Sequence, residues 1–407
     1  MNKQFLFSLI ALFFLSQPLW GQVRYHLLYE QDLGEHFGAE NLLAINHAWS
    51  KLDERYLPKH LFSEDKEWTN RAYRFAKLLF IDYPFAFVLP SLQHEYFGHG
   101  YRARQYGSQV TELKLTLPPP FQLETPNVRY RPILDRTEQE QLVMTVAGTE
   151  ANAIFSKKIH RNALLSEKLD YHDALLYLYA NNDLNSYVTF GRGLGGDVNT
   201  YLNNTNTYYQ QDELTTKKLF SYGFLSILLD PVNYYAFQSI FNYGWQAQAK
   251  TRVPFIRFSQ KLSYLPKFRF SLSPFGPELH YENYFKYKAQ LFSLAFAHSD
   301  GTFQKYWRFS GQIWNVKLAN PLYLTARGQF WKQPEFLITD DGQVTDEQGT
   351  GAAVITTLYY DWQREPGLLG LMVEVGYKTG GFMEGERLGQ GLILRGGLSF
   401  NLDGSLK

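Results

Sequence analysis

The feature that most constrains the fold of this chain is a change in the spacing of its apolar residues near Tyr243. Before that residue, apolar side chains recur at helical spacing in four stretches, namely residues 70–80, 139–157, 171–187 and 219–241. After it, apolar and polar residues alternate, as they do along strands. A chain whose hydrophobic period changes once in this way is predicted to form helices first and an antiparallel sheet afterwards.

The alternating segments of the second half place apolar side chains on one face and charged or small ones on the other. In residues 369–377, for example, Leu371, Val373 and Val375 share one face and Glu374 lies on the opposite one. Segments of about ten residues with this pattern are typical of membrane β-barrels, and aromatic residues make up 17% of the chain at a mean hydropathy of only −0.32. A soluble sheet with one solvated face is the alternative, because it alternates in the same way.

The N-terminus has the organisation of a secretory signal peptide. Lys3 precedes an apolar run over residues 5–15, and Pro18 and Gly21 follow it. The run is too short to span a bilayer comfortably, so we predict cleavage after Gly21, with a retained membrane anchor as the alternative. The fold class predicted is therefore α+β, with a signal peptide at 1–21, a mainly helical domain at 22–243 and an antiparallel β-barrel of outer-membrane type at 244–407.

The sharpest local signal is the sequence HEYFGH, which carries His94, Glu95 and His99 inside an apolar helical stretch. Two imidazoles and a carboxylate so close together are costly to bury without a purpose, and zinc binds both kinds of ligand. The chain has no cysteine, so any zinc ligands must be histidines and carboxylates.

The spacing of these two histidines requires an irregular helix. Residues five apart lie about 140° apart around a regular α-helix, so His94 and His99 cannot both point at one ion there. A π-bulge would bring them together, and Gly98 is well placed to allow it. Both histidines would then bind Zn²⁺, with Glu95 as the general base that acts on the bound water. The alternative is a regular helix in which Glu95 and His99 form an ion pair.

A catalytic zinc needs a third protein ligand. Glu150 is our first choice, because it is the only charge in the apolar stretch VMTVAGTEANAIF and a lone acid there is either a ligand or ion-paired. Asp230, equally isolated in FLSILLDPVNYY, is the alternative. Asp197 comes third, because the preceding glycines are also typical of a turn and helix cap.

These motifs resemble two families of zinc peptidases, and the resemblance implies that the helical domain at 22–243 is zinc-peptidase-like. The HExxxH form is similar to that of dipeptidyl peptidase III, in which both histidines bind zinc and the glutamate is the general base. The longer stretch resembles a site-2 protease, with Ala103-Arg104, Tyr106-Gly107 and a strand at 110–117 after the zinc helix, and with one residue inserted in the zinc motif. AGTEAN at 147–152 is similar to the AGPxAN element of that family, and the LDP sequence at 229–231 to its LDG element.

The resemblance to site-2 proteases carries two implications for individual residues. It favours Asp230 as the third zinc ligand, and it implies that Asn152 orients the substrate. About 50 of the 407 residues take part, and none of them lies in the β-rich half. Site-2 proteases are also polytopic helical membrane proteins, which the low mean hydropathy of this chain does not match.

The function predicted is that of a zinc-dependent endopeptidase of the bacterial cell envelope, with a periplasmic N-terminal domain and a barrel in the outer membrane. The partners expected are a peptide or protein substrate, held by the edge of the strand at 110–117, and the membrane. A net charge of +1 argues against a nucleic-acid partner.

Two other hypotheses are open. The first is a non-catalytic outer-membrane β-barrel protein with a helical periplasmic interaction domain. The second, an intramembrane protease, ranks last, because its best spanning segment, residues 75–92, is interrupted by Lys77, Asp82, Pro84 and Pro90.

Overall fold

The computed structural model describes residues 23–131, 136–190, 196–340, 343–347, 349–362 and 369–402, so the predicted signal peptide lies outside the described residues. The helices are α1 (Glu35–Tyr56), α2 (Glu67–Gln105), α3 (Glu138–Ser166), α4 (Tyr171–Asn181), α5 (Asp183–Phe190), α6 (Asp197–Tyr209), α7 (Thr216–Leu228) and α8 (Pro231–Gln246). Within α2, two segments are π-helical, Leu78–Asp82 and Gln93–His99.

The helix ends follow from local chemistry. Helix α3 begins at a capping box, in which the Thr137 side chain accepts the Glu140 amide and the Glu140 carboxylate accepts the Thr137 amide. The predicted stretch 219–241 forms two helices, because Asp230 caps α8 and Pro231 occupies its first turn. Among the described residues, α2 alone is long and apolar enough to cross a membrane, by length and composition, and 33% of its apolar window is buried.

The strands are β1 (Tyr25–Tyr29), β2 (Gln109–Lys114), β3 (Asn127–Arg131), β4 (Lys168–Asp170), β5 (Lys250–Arg252), β6 (Ile256–Arg257), β7 (Leu262–Ser273), β8 (Gly276–Tyr287), β9 (Gln290–Ser299), β10 (Trp307–Ala319), β11 (Leu322–Lys332), β12 (Phe336–Asp340), β13 (Gln343–Glu347), β14 (Thr350–Asp361), β15 (Gly370–Lys378) and β16 (Gly391–Phe400). Ten of them form one antiparallel sheet in the order β1-β16-β15-β14-β11-β10-β9-β8-β7-β6. The other described strands pair as β2 with β3, β4 with β5 and β12 with β13.

The predicted alternation of faces is confirmed in this sheet. Leu371, Val373 and Val375 of β15 are exposed on its outer face. Between them, the Glu374 side chain points to the inner face and pairs with Arg395 of the neighbouring β16 at 2.7 Å. In this strand pair the polar side chains therefore point to the interior of the molecule, and the apolar side chains lie on its surface.

The prediction of a closed β-barrel is corrected by the strand order. The sheet ends at β1 on one side and at β6 on the other, and these two strands do not pair with each other in the described structure. Helices occupy the open side instead: α7 and α8 pack on β7, α8 packs on α2, and α1 packs on both α2 and β1. The structure is a mixed fold of helices and strands with a large open antiparallel sheet.

The helical and strand-rich regions share a core. Leu43 of α1 and Phe155 of α3 belong to the same buried cluster as Tyr284 of β8 and Trp314 of β10. At its start, the chain also contributes β1 to the sheet, where it pairs with β16. The hydrophobic period changes near Tyr243, where helices give way to strands. The helices and strands nevertheless share one buried core.

Candidate metal centre

The sequence HEYFGH lies in the second π-helical segment of α2, as the spacing of its histidines requires. A π-helix places residues i and i+5 on the same face, one above the other. The His94 and His99 rings accordingly meet edge to face, with centroids 5.0 Å apart and Nε2 atoms 3.2 Å apart. The predicted π-bulge is confirmed, and the alternative of a regular helix is wrong.

Two glycines allow α3 to pack directly against this segment. A Cβ atom on Gly98 would lie 2.6 Å from the Ala147 carbonyl oxygen, and one on Gly148 would lie 2.2 Å from Nε2 of His94. No side chain can be accommodated at such distances. The helices α2 and α3 therefore cross at Gly98 and Gly148, and the backbone of α3 forms one wall of the site.

Three ligand atoms converge at this crossing. Oδ2 of Asp197, the first residue of α6, lies 3.0 Å from Nε2 of His94 and 3.1 Å from Nε2 of His99. With the 3.2 Å between the two imidazole nitrogens, the three atoms form a nearly equilateral triangle. A tetrahedral zinc site with bonds of 2.0–2.1 Å has ligand atoms about 3.3 Å apart, so this triangle matches one face of such a site.

Hydrogen bonds on the far side of each imidazole direct its Nε2 atom towards the centre. Nδ1 of His94 donates to Oδ2 of Asp183 at 2.8 Å, and Nδ1 of His99 donates to the Met144 carbonyl at 2.8 Å. A neutral imidazole that donates from Nδ1 presents the lone pair of Nε2. Carboxylate and carbonyl partners of this kind are usual behind metal-binding histidines.

Asp197 is ionised in this environment. Burial alone would raise the pKa of its carboxyl group, but the charge of His99 and the hydrogen bonds with both histidines lower that pKa well below its ordinary value. Within the described part of the chain, no lysine or arginine forms an ion pair with Asp197 or Asp183. Burial lowers the pKa values of His94 and His99, but Tyr187 and Asp183 beside His94 and Asp197 beside His99 raise them above the ordinary value. Among the described residues, the two histidines therefore balance the carboxylates of the site, with no lysine or arginine beside them.

Glu95 lies directly after His94, in the same π-helical segment. Its side chain is only 9% exposed, yet it makes no hydrogen bond or ion pair with any described residue. Its charge acts on His99 and on Tyr187, whose ring stacks against His94 with centroids 6.0 Å apart. A buried carboxylate beside a metal site, with its oxygens unused, is suitable for a general base.

The expectation that Glu150 is the third ligand is corrected. Its Oε1 atom accepts hydrogen bonds from Arg102 and from the Gly385 amide, each at 2.6 Å, so it belongs to a buried ion pair. Asp230, the alternative, is not at the site either. Asp230 caps α8 and pairs with Lys267 at 3.2 Å. The structure brings Asp197, our third choice, to the histidines instead.

Asn152 is near the site, but behind it. Its amide donates to Oδ2 of Asp183 at 3.0 Å, the same oxygen that accepts from His94. Asn152 therefore holds Asp183 in position behind His94, and its role in orienting a substrate stays a prediction. The sequence analysis missed Asp183 and Tyr187, since an acid at the start of a polar helix and one tyrosine among 29 carry no spacing signal.

The strand predicted at 110–117 is shorter in the structure and follows the metal helix closely. It forms β2, pairs with β3 and contacts the last turn of α2. In the described structure β3 is the only strand that pairs with β2. One edge of β2 is therefore available for pairing with an extended peptide.

Comparisons of the chain with protein families, with curated proteins and with solved structures found no match. The resemblance to zinc peptidases thus stays a prediction from motifs. What the chain does must be inferred from the geometry of the centre formed by His94, His99 and Asp197.

Proposed function

We propose that the protein is a zinc-dependent endopeptidase of the bacterial cell envelope. The observation that carries the proposal is the triangle of Nε2 of His94, Nε2 of His99 and Oδ2 of Asp197, with sides of 3.0, 3.1 and 3.2 Å and with Glu95 beside it. Two histidines and one carboxylate are a ligand set of catalytic zinc sites, which keep a fourth position open for water.

In the proposed reaction each residue has one role. Zinc held by the three ligands would polarise the scissile carbonyl and lower the pKa of water at the site. Glu95 takes the proton of the attacking water and transfers it to the leaving amine. Asp183, held by Asn152, keeps His94 in the tautomer that presents Nε2 to the site.

The substrate proposed is an extended peptide or protein segment. The free edge of β2 supports this class of substrate, because an extended chain can add to it by main-chain hydrogen bonds. We also propose export through the N-terminal signal sequence and location at the outer membrane, with the outer face of the ten-stranded sheet towards lipid. A nucleic-acid partner is not proposed, given the net charge of +1.

The second candidate is a non-catalytic outer-membrane protein whose helices bind a partner. One observation favours it: other buried histidine–carboxylate groups in this structure, such as Asp53, Asp82 and His172, already contain a lysine and so have a structural role. If the group of His94, His99 and Asp197 binds no metal, its role would be structural as well.

The test is the zinc content of the purified protein together with hydrolysis of quenched fluorescent peptides. For the wild type we expect one zinc per chain and hydrolysis that a chelator abolishes. Glu95→Gln should keep the zinc and lose the hydrolysis by about 10²–10⁴-fold, because it removes only the base. Wild-type protein that holds no zinc after purification without chelator would overturn the proposal. Bound zinc with no hydrolysis would favour the non-catalytic candidate.

A further inference from the structure

The outer face of the ten-stranded sheet is apolar along whole rows of paired residues. The row through its middle runs across eight strands and consists of Tyr264, Phe285, Phe292, Ile313, Ala326, Thr356, Val375 and Leu394. A parallel row is aromatic from β7 to β11 and consists of Phe268, Tyr281, Phe296, Phe309 and Phe330. Neither row contains a charge, and aromatic rows are typical of the borders of membrane sheets.

The charges of the same strands are on the inner face. Arg269 of β7 pairs with Glu282 of β8 at 2.8 Å, and Arg395 of β16 pairs with Glu386 at 2.8 Å, all of them buried. A sheet in water shows the reverse arrangement, with polar side chains outside and apolar ones inside. The outer face of the sheet is therefore suited to an apolar environment and not to water.

The apolar face has the length of a membrane crossing. On β11 it extends from Leu322 to Phe330, nine residues that span about 26 Å at 3.3 Å per residue. Membrane strands need about 9–11 residues to cross the hydrocarbon core.

The apolar surface continues from the sheet onto α7 and α8. Between residues 220 and 249 the only charge is Asp230, which is buried. The large exposed apolar side chains of this stretch are Phe224, Leu225, Ile227, Leu228, Leu229, Tyr234, Phe237 and Phe241. The Phe268 amide donates to the Leu229 carbonyl at 3.3 Å, so the end of α7 is level with the aromatic row of the sheet.

The surface continues further onto α2, which bears His94 and His99. Between Arg71 and Arg104 every charged side chain of this helix is buried. Lys77 and Asp82, which interrupt the apolar sequence, pair with each other at 2.8 Å inside the molecule. The exposed side chains of the same part of α2 include Phe75, Leu79, Phe80 and Ile81.

We propose that lipid acyl chains cover this entire surface, the apolar belt, formed by the outer face of the sheet and the exposed faces of α2, α7 and α8. The helices then close the open side of the sheet within the bilayer, where an unpaired sheet edge would be costly. This goes beyond the proposed function, which requires lipid contact only for the sheet. A lipid phase is the occupant because the belt extends over the sheet and three helices, whereas a protein partner or second copy would cover one side.

The metal centre lies beyond the aromatic row, at one border of the belt. Lys157 of α3 pairs with Glu384, which also pairs with Arg269, the residue after Phe268. Gly148, which contacts His94, lies nine residues before Lys157, about 13 Å further along α3. In that direction Met144 packs with Phe275 at the β7–β8 turn. The centre is thus placed near the border of the belt, where the Asp197 side chain remains 29% exposed.

Single-cysteine spin labelling tests the belt directly, because the chain contains no cysteine. The full-length protein is reconstituted in vesicles of phosphatidylethanolamine and phosphatidylglycerol, and relaxation of each label by oxygen and by a water-soluble nickel chelate is measured. The variants are Val375→Cys on the sheet, Phe237→Cys on α8 and Leu79→Cys on α2. Asn203→Cys, exposed on α6, which also carries Asp197, is the control.

We expect oxygen to dominate over nickel at Val375, Phe237 and Leu79, and nickel to dominate at Asn203. Nickel dominance at Phe237 and Leu79, with oxygen dominance at Val375, would restrict lipid to the sheet and overturn the proposal. So would low access of both reagents at Val375 together with spin–spin broadening that dilution with unlabelled protein removes, since a second copy would then cover the face. The zinc content of the same samples is measured separately, so failure of the metal proposal is distinguishable.

Discussion

The described part of the protein contains three groups of histidine and carboxylate side chains, two of them buried and one partly exposed at Asp197. In the group of Asp53, Asp82 and His172, Lys77 lies between the two carboxylates at 2.7 and 2.8 Å. In the group of Glu278, His280 and Glu384, Arg308 and Arg269 pair with the carboxylates. In the group of His94, His99 and Asp197, no lysine or arginine of the described residues pairs with the carboxylate.

Proximity of possible ligands therefore does not identify a metal site. A lysine or arginine already balances the charge of the first two groups, and its position excludes a metal ion by repulsion and by volume. Among the described residues, only the third group has donor atoms directed at one point and no lysine or arginine to balance its carboxylate. We call it the unbalanced group, and the other two the balanced groups.

The largest effect should follow from loss of a ligand at the unbalanced group. Asp197→Ala should abolish stoichiometric zinc binding, as should His94→Ala, because each removes one corner of the triangle of ligand atoms. Metal content by mass spectrometry checks this. Glu150→Gln is the matched control and should keep its zinc, since Glu150 pairs with Arg102. Zinc retained in Asp197→Ala but lost in Glu150→Gln would return the third ligand to Glu150.

Removal of the cation from a balanced group should cost stability instead of metal. Lys77→Met leaves Asp53 and Asp82 buried without their partner, and we expect the free energy of unfolding to fall by about 3–5 kcal/mol. Zinc content should stay unchanged. Denaturant unfolding measures the effect. The control Lys114→Met removes an exposed ion pair with Glu124 and should change stability by less than about 1 kcal/mol.

A smaller effect is expected behind the metal centre. Asp183→Asn keeps the shape of the side chain but weakens its hydrogen bond with Nδ1 of His94. Zinc affinity should fall by about 10–100-fold, as is usual for partners of metal-binding histidines. Competition with a chromogenic chelator measures the change. The exposed Asp212→Asn serves as control, and an equal loss there would show that the effect is not specific to His94.

The carboxyl group of Asp173, the residue after His172, should make the stability of the protein depend on pH. Burial and the neighbouring Asp170 raise the pKa of Asp173 to about 7, although Asn46 donates to it at 2.7 Å. Because the folded state holds this proton more tightly than the unfolded state, stability should fall as pH rises from the ordinary pKa of 3.8 to about 7.

Asp173→Asn removes that contribution. The variant should be more stable than the wild type above pH 7, and the gain should disappear below the ordinary pKa of the carboxyl group. Thermal unfolding across this pH range measures the difference. A gain of equal size at every pH would contradict the raised pKa and indicate a packing effect.

Much of the local structure could be predicted from the sequence. Alternation along β15 predicted which face Glu374 and Val375 occupy. The five-residue separation of His94 and His99 predicted a π-helical segment. These are properties of neighbours in the chain, where backbone geometry alone decides which side chains meet.

What the sequence could not decide were contacts between distant residues. Asp197 meets His99 across 98 positions, and Arg102 meets Glu150 across 48, so the sequence alone ranked Glu150 above Asp197 as the third ligand. The open sheet has the same origin, since α1, α2, α7 and α8 occupy the space that strand pairing between β1 and β6 would need.

By itself, the sequence determined the hydrophobic period, the residues that alternate and the irregular helix that two histidines require, because these depend on local backbone geometry. Only the tertiary structure decided which acid completes the metal centre, which acids are balanced by a lysine or arginine, and that helices close the sheet. Those outcomes depend on how α3 packs against α2 at Gly98 and Gly148, and on how it packs against the charged inner face of the sheet. The separation of two residues along the chain does not determine their distance in space.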